Sequence, residues 1–160
     1  DELGFDPLPY YREGPALTDE FPYAVFSGVR EDPFFQTGQR NIPELRARCP
    51  LPSVFIHTDD AKKEGLVDGD WVELQTAYGK VTAELSVQES MKQGHLRVPH
   101  GWWYPELRGE EALAGAFISS DAVLCSDEDE FLDYEQGIPH FKGYPGRVVK
   151  VEKPAKLKAS

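Results

Sequence analysis

Between residues 71 and 87 apolar and polar side chains alternate almost without a break: Trp71-Val72-Glu73-Leu74-Gln75-Thr76, a Tyr78-Gly79 turn, then Lys80-Val81-Thr82-Ala83-Glu84-Leu85-Ser86-Val87. A period of two places every second side chain on one face, so the two runs read as the strands of a half-buried hairpin. One hairpin cannot shelter an apolar face in water, and further strands have to cover it. The chain offers them in short pieces, at residues 22–27, 53–57, 94–98 and 147–152, bounded by Gly, Pro and Asp-Gly turn signals. Helical signals are few. Asn41 precedes Pro43 as an N-cap for a short helix over 41–46, and Thr58 caps a second over 58–65, with Asp59 and Asp60 at its positive end and Gly65 at its stop. Six short strands with few short helices favour a mainly β, closed barrel, because closure removes the exposed edges of an open sheet.

The rest of the chain divides around that barrel. Residues 1–20, with Pro7, Pro9, Gly14 and Pro15, lack periodicity and read as an extended interdomain arm, residues 21–153 as the barrel domain, and residues 154–160 as a frayed tail. The first residue is Asp1 and not Met, as expected of a processed chain or a segment of something larger. No apolar run reaches the length of a membrane span, so direct membrane insertion is not expected. The net charge of -11 argues against nucleic acid, whose phosphates need a basic face. The acidic run Ser126-Asp127-Glu128-Asp129-Glu130 lacks the spacing of a calcium loop and reads as a solvated loop. Against this background, the concentration of Arg30, Arg40, Arg46 and Arg48 marks the place for an anion.

Catalytic patterns are missing. His57, His95, His100 and His140 follow no metal-ligand spacing, Cys49 and Cys125 form no CxxC pair, and neither a GxSxG elbow nor a P-loop occurs. Catalytic and metal-ligating residues are therefore expected to be none. What remains is a pair of loops with one composition, Ser27-Gly28-Val29-Arg30 and Thr37-Gly38-Gln39-Arg40. In each, a hydroxyl and a glycine allow close backbone approach to an anion, and an arginine can fork onto phosphate. Each loop alone is also ordinary turn chemistry; the two together make a clamp for a pyrophosphate. A third stretch, Arg97-Val98-Pro99-His100-Gly101-Trp102-Trp103-Tyr104-Pro105-Glu106, holds two of the three tryptophans beside a histidine and a glycine.

Taken in order, Phe21-Pro22-Tyr23-Ala24-Val25-Phe26-Ser27-Gly28-Val29-Arg30, Phe35-Gln36-Thr37-Gly38-Gln39-Arg40-Asn41, Val54-Phe55-Ile56-His57-Thr58-Asp59-Asp60-Ala61, Gly65-Leu66-Val67-Asp68-Gly69-Asp70-Trp71-Val72, His100-Gly101-Trp102-Trp103 and Gly137-Ile138-Pro139-His140-Phe141-Lys142 resemble the C-terminal domain of the dimethyl-sulfoxide-reductase family of molybdenum and tungsten oxidoreductases. The arm at residues 4–13 resembles the segment that leads into that domain. The HGWWYPE details resemble the thiosulfate or polysulfide reductase and acetylene hydratase branch. The resemblance implies a six-stranded double-psi β-barrel that binds the guanine-dinucleotide arms of a bis(molybdopterin guanine dinucleotide) cofactor, with Mo or W in the full-length protein and the cofactor absent from the isolated domain. The metal ligand and any iron–sulfur cluster would belong to preceding catalytic domains of the same polypeptide, with an iron–sulfur electron-transfer subunit as a further partner and a cytoplasmic or periplasmic location in a prokaryote.

Carried over position by position, the resemblance assigns Ser27, Gly28, Arg30, Thr37, Gly38 and Arg40 to phosphate and ribose. It sets His100, Gly101 and Trp102 at the cofactor edge, and Phe141 with Lys142 at the C-terminal side. Asp121, in Ser119-Ser120-Asp121-Ala122, stands where relatives carry carboxamides, and would accept from guanine N–H groups. Gln36 departs from the histidine frequent in the family. Trp103 and Tyr104 would face the preceding domains, which implies an exposed aromatic patch on this chain. The competing reading is a double-psi barrel protein-interaction (adaptor) module, which scattered positions of Arg30, Arg40 and Lys142 would favour. An autocatalytically processed decarboxylase of related barrel shape is disfavoured, because no Gly-Ser cleavage pair occurs.

Overall fold

The computed structural model describes residues 8, 11, 13–128, 132–133, 137–139 and 142–157. Six strands close on themselves in the order β1-β5-β2-β4-β3-β6: β1 Tyr23–Val29, β2 Ser53–Ile56, β3 Trp71–Gln75, β4 Lys80–Val87, β5 His95–Pro99 and β6 Lys142–Lys150. Parallel pairs β1–β5 and β2–β4 interrupt an otherwise antiparallel ladder, as in a double-psi barrel. Among the described residues three short α-helices decorate it: α1 Pro43–Arg48, α2 Thr58–Lys63 and α3 Ala116–Ser119.

The predicted hairpin pairs in the register its alternation requires, with Val72 opposite Ala83 and Leu74 opposite Val81. These four side chains point inward together with Val25, Val54, Ile56, Leu85, Leu96 and Val98 and fill the barrel. A second apolar cluster lies outside the barrel, where Phe34, Trp102, Tyr104, Leu107 and Leu157 pack with Trp71 at their edge. Of the tail expected to fray over residues 154–160, the part up to residue 157 is described, and Leu157 packs against the outer cluster. Residues 155–157 form a helical turn, Leu157 is buried in this cluster, and Lys156 pairs with Glu111.

Other boundaries shift for identifiable reasons. β1 does not stop at Ser27: it continues to Val29 through a bulge at Gly28, whose φ of 73° a side chain would resist. β6 begins five residues before the expected strand, so Lys142 lies opposite Phe26 in a ladder and not in a closing loop. The cap of α2 is His57 and not Thr58, its Nδ1 accepting from the Asp59 amide at 3.0 Å. The cap of α1 is Ile42, with no side-chain hydrogen bond, and not Asn41.

Candidate functional site

The two arginine loops, the exit of β5 and residues 119–124 meet at one end of the barrel, and Asp121 holds them together. Its carboxylate is 1% exposed and accepts from the Gly28 amide through Oδ2 at 2.8 Å and from the Gly101 amide through Oδ1 at 2.8 Å. His100 Nδ1 lies 3.2 Å from Oδ2. Two charge-assisted bonds from backbone amides thus fix the bulge of β1 to the exit of β5. The burial is permitted because every oxygen of the carboxylate has a partner. Asp121 is therefore no open acceptor for a guanine edge, as its place in the sequence suggested; it is the clasp under the site.

Arg40 makes the second tie. It is 1% exposed, and its guanidinium donates to the Gln36 carbonyl at 2.9 Å and to the His100 carbonyl at 3.0 Å. It also stacks 4.6 Å from the Trp102 ring centroid and 4.8 Å from that of Phe34. Burial draws its pKa down to about 10, still far above neutrality, so the group remains a cation packed on aromatic faces. Loop 36–40 closes around it, with Gln36 and Gln39 in left-handed conformations and the Gly38 amide donating to the Phe35 carbonyl. Such conformations cost free energy at non-glycine residues, and persist where the surroundings fix them.

The third tie joins the loop to the tryptophan pair. Trp103 Nε1 donates to the Thr37 carbonyl at 2.6 Å, and Gly101, at a φ of 58°, lies so close to the Thr37 side chain that a Cβ there would collide with it. Trp102, in contrast, is 0% exposed and belongs to the outer apolar cluster, where Arg46 also stacks on it at 5.0 Å. Its ring offers no face to a ligand. Tyr104 is buried as well, its hydroxyl within 2.6 Å of Ser119 Oγ and its pKa pushed up to about 12 by burial. The aromatic patch expected at Trp103 and Tyr104 is thus not formed. The exposed large apolar side chains near this end are instead Phe35, Leu113 and Phe117.

Among the other sequence-predicted residues, Ser27 faces the interior beside Tyr144 and Cys125, and Gly28 lies on the surface with its amide turned to Asp121. Arg30, Thr37 and Lys142 are exposed, and the His100 side chain is 32% exposed. Phe141 and His140 fall outside the described residues. The structure therefore brings loops 27–30 and 37–40, the β5 exit and Asp121 into one region, and sets Lys142 beside β1 at its flank. Within that region it separates an outer set, Arg30, Thr37, His100 and Lys142, from an inner one, Ser27, Arg40, Gly101, Trp102 and Asp121. Trp103, expected to face preceding domains, is tied to loop 36–40, and Phe35 was missed as a neighbour of the site. The Phe34-Phe35 doublet carried a signal: in an extended or turn segment both rings cannot face the same core, and Phe35 is the one left outside.

The outer set can bind an anion but contains no nucleophile paired with a base. Among the described residues, no group of His, Cys, Asp or Glu able to hold a metal occurs, and no helix is long and apolar enough to cross a membrane. Cys49, the thiol nearest the arginines, is pushed up to about 11 by burial and is a poor nucleophile.

Residues 25–131 match the family model described as molydopterin dinucleotide binding domain. Acetylene hydratase of Syntrophotalea acetylenica is 38% identical over 152 residues, which cover 89% of this chain and 21% of that protein. Dopamine dehydroxylase of Eggerthella lenta is 33% identical over 107 residues, 63% of this chain and 10% of that protein. The solved structure of acetylene hydratase from Pelobacter acetylenicus superposes with a TM-score of 0.86 at 35% identity, covering 94% of this chain and 22% of that one. The chain thus spans about a fifth or less of the length of these relatives.

Proposed function

Because the chain belongs to the molydopterin dinucleotide binding domain family of molybdenum enzymes, we propose that it holds the guanine-dinucleotide arms of a bis(molybdopterin guanine dinucleotide) cofactor against preceding catalytic domains of the same polypeptide, and supplies no catalytic residue itself. The observation that carries this reading is the outer set of one barrel end. Arg30 and Lys142 flank the last residues of β1, Lys142 through its ladder pairing with Phe26, while Asp121 ties the Gly28 and Gly101 backbone and Arg40 ties the Gln36 and His100 carbonyls from beneath.

The residues present fit such a group. Arg30 and Lys142 are exposed cations in a chain of net charge -11, and a guanidinium, an ammonium and a hydroxyl together match the chemistry of a pyrophosphate. The buried ties supply stiffness, so that little ordering free energy is lost on binding. When bound, the cofactor supplies the redox-active or Lewis-acidic metal, molybdenum or tungsten, and the protein supplies placement. In this arrangement Arg30 and Lys142 neutralise phosphate, the Thr37 hydroxyl donates to a remaining oxygen, and His100 Nε2 faces the ligand while Nδ1 is engaged by Asp121.

The adaptor reading gains nothing from this geometry, since Arg30, Arg40 and Lys142 gather around one end of the barrel. The test is cofactor loading of the intact multidomain enzyme with Arg30→Gln and Lys142→Gln combined. Molybdenum or tungsten content per folded polypeptide, measured by mass spectrometry, is expected to fall several-fold. Unchanged content would overturn the assignment.

A further inference from the structure

Between the outer apolar cluster and Asp121 the chain runs through Ala112-Leu113-Ala114-Gly115-Ala116-Phe117-Ile118, seven residues without a charged or hydrogen-bonding side chain in a chain that is 28% charged. The fold does not bury them all. Gly115 and Ile118 turn to the outer cluster, whereas Leu113 is 72% exposed and Phe117 62%. The backbone that shows Leu113 to water is itself costly, because Leu113, Ala114 and Gly115 are left-handed in succession, at φ of 48°, 52° and 70°. It is fixed from beneath. The Tyr104 amide donates to the Ala114 carbonyl at 2.9 Å, and a Cβ on Gly115 would come within 2.8 Å of Leu107 Cδ1 and 3.3 Å of Tyr104 Cδ2. These ties use backbone and Gly115, and the side chains of Leu113 and Phe117 belong to neither apolar cluster. A strained turn thus holds two large apolar side chains where the fold makes no use of them.

We infer that Leu113 and Phe117 form a docking surface through which this domain seats on an uncharged, apolar face of the catalytic domains of its own polypeptide. This rests on the reading that such domains precede the chain, and it names a surface that the reading leaves open. Two observations select the occupant. In the relatives matched, most of the length lies outside the matched segment, so a large neighbour is available within one polypeptide. The surface also borders the end of the barrel where a ligand shared with that neighbour would lie. α3 stops two residues before Asp121, and Tyr104, bonded to Ala114, stands three residues past Gly101. Permanent interfaces are rich in apolar area and poor in charge, which is the composition of residues 112–118. An exposed apolar face of this kind is otherwise a liability in water.

The test compares the intact multidomain enzyme with the 160-residue chain by hydrogen exchange and mass spectrometry. Amides of residues 112–118 are expected to exchange at least about ten-fold more slowly in the intact enzyme. Leu113→Asn combined with Phe117→Gln supplies a second arm. Asparagine accepts a left-handed φ more readily than leucine, and Phe117 is exposed, so the 160-residue chain should keep or raise its urea midpoint. In the intact enzyme the same double variant should speed proteolytic release of the C-terminal domain about ten-fold, because two large apolar side chains leave the interface. Equal exchange in the intact enzyme and the separate chain would overturn the docking surface. So would a double variant that weakens the separate chain as much as the intact enzyme, since the two side chains would then serve the fold. Protection that appears only as concentration rises, together with a doubled mass that the double variant abolishes, would replace the catalytic domains by a second copy and overturn it as well. The dinucleotide reading is judged separately. Metal content that falls in Arg30→Gln with Lys142→Gln, while residues 112–118 exchange freely, would sink the docking surface and leave that reading standing.

Discussion

Loops 27–30 and 37–40 share a hydroxyl residue, a glycine and an arginine in the same order, and the fold uses them in opposite ways. Arg30 follows the last residue of β1 and stands in solvent. Arg40 turns inward, caps two carbonyls and lies against two aromatic rings. The glycines diverge likewise: Gly28 makes the bulge that offers its amide to Asp121, while Gly38 closes a turn onto the Phe35 carbonyl. The two motifs are therefore a binding edge and its brace. A cation that recognises a ligand must stay hydrated until the ligand arrives, whereas a cation that braces backbone must exchange its water for carbonyls permanently.

Substitutions at the two arginines test this division most directly. Arg40→Ala should be the most damaging, costing about 3 kcal/mol in urea unfolding, because two carbonyls lose a charged donor and a void opens between Phe34 and Trp102. A loss well under 1 kcal/mol would show that Arg40 is no brace. Next in size is Gly101→Ala, at about 2 kcal/mol, from its left-handed φ and from collision with Thr37. Adding Thr37→Gly should recover about half of that loss in the same assay if the contact between loop 37–40 and the β5 exit is the cause. The smallest stability effect belongs to Arg30→Gln, expected within about 0.5 kcal/mol of the parent while pyrophosphate affinity, read from amide shifts, falls several-fold. A destabilisation by Arg30→Gln comparable to that of Arg40→Ala would erase the distinction between edge and brace.

The stretch His100-Gly101-Trp102-Trp103-Tyr104 repeats the lesson over five residues. Its composition advertises aromatic surface, yet only His100 and Trp103 keep partial exposure, and Trp102 and Tyr104 build the outer cluster with Leu107 and Leu157. That cluster was illegible in the sequence because its buried members come from three separated segments, around residues 34, 102–107 and 157, none of them periodic. Leu157 in particular stands in a lysine-rich run that gives no local sign of burial. Asp121 was legible as a polar residue of the candidate site, and illegible as a clasp, because its partners are backbone amides 93 and 20 residues away.

The sequence by itself determined the six strands, the hairpin register and the family to which they belong. Period-two alternation and turn residues act over a few neighbours, and each such signal survives without knowledge of the rest of the chain. It also determined which loops could meet an anion, since hydroxyls, glycines and arginines are chemically competent wherever they stand. Only the tertiary structure decided which of them do. Whether an arginine keeps its water or surrenders it to buried carbonyls depends on what the closed barrel brings against it, and that is settled by residues far away in sequence. On that ground Arg30 became an edge, Arg40 a brace, and Asp121 the clasp that holds both loops to the same end of the barrel.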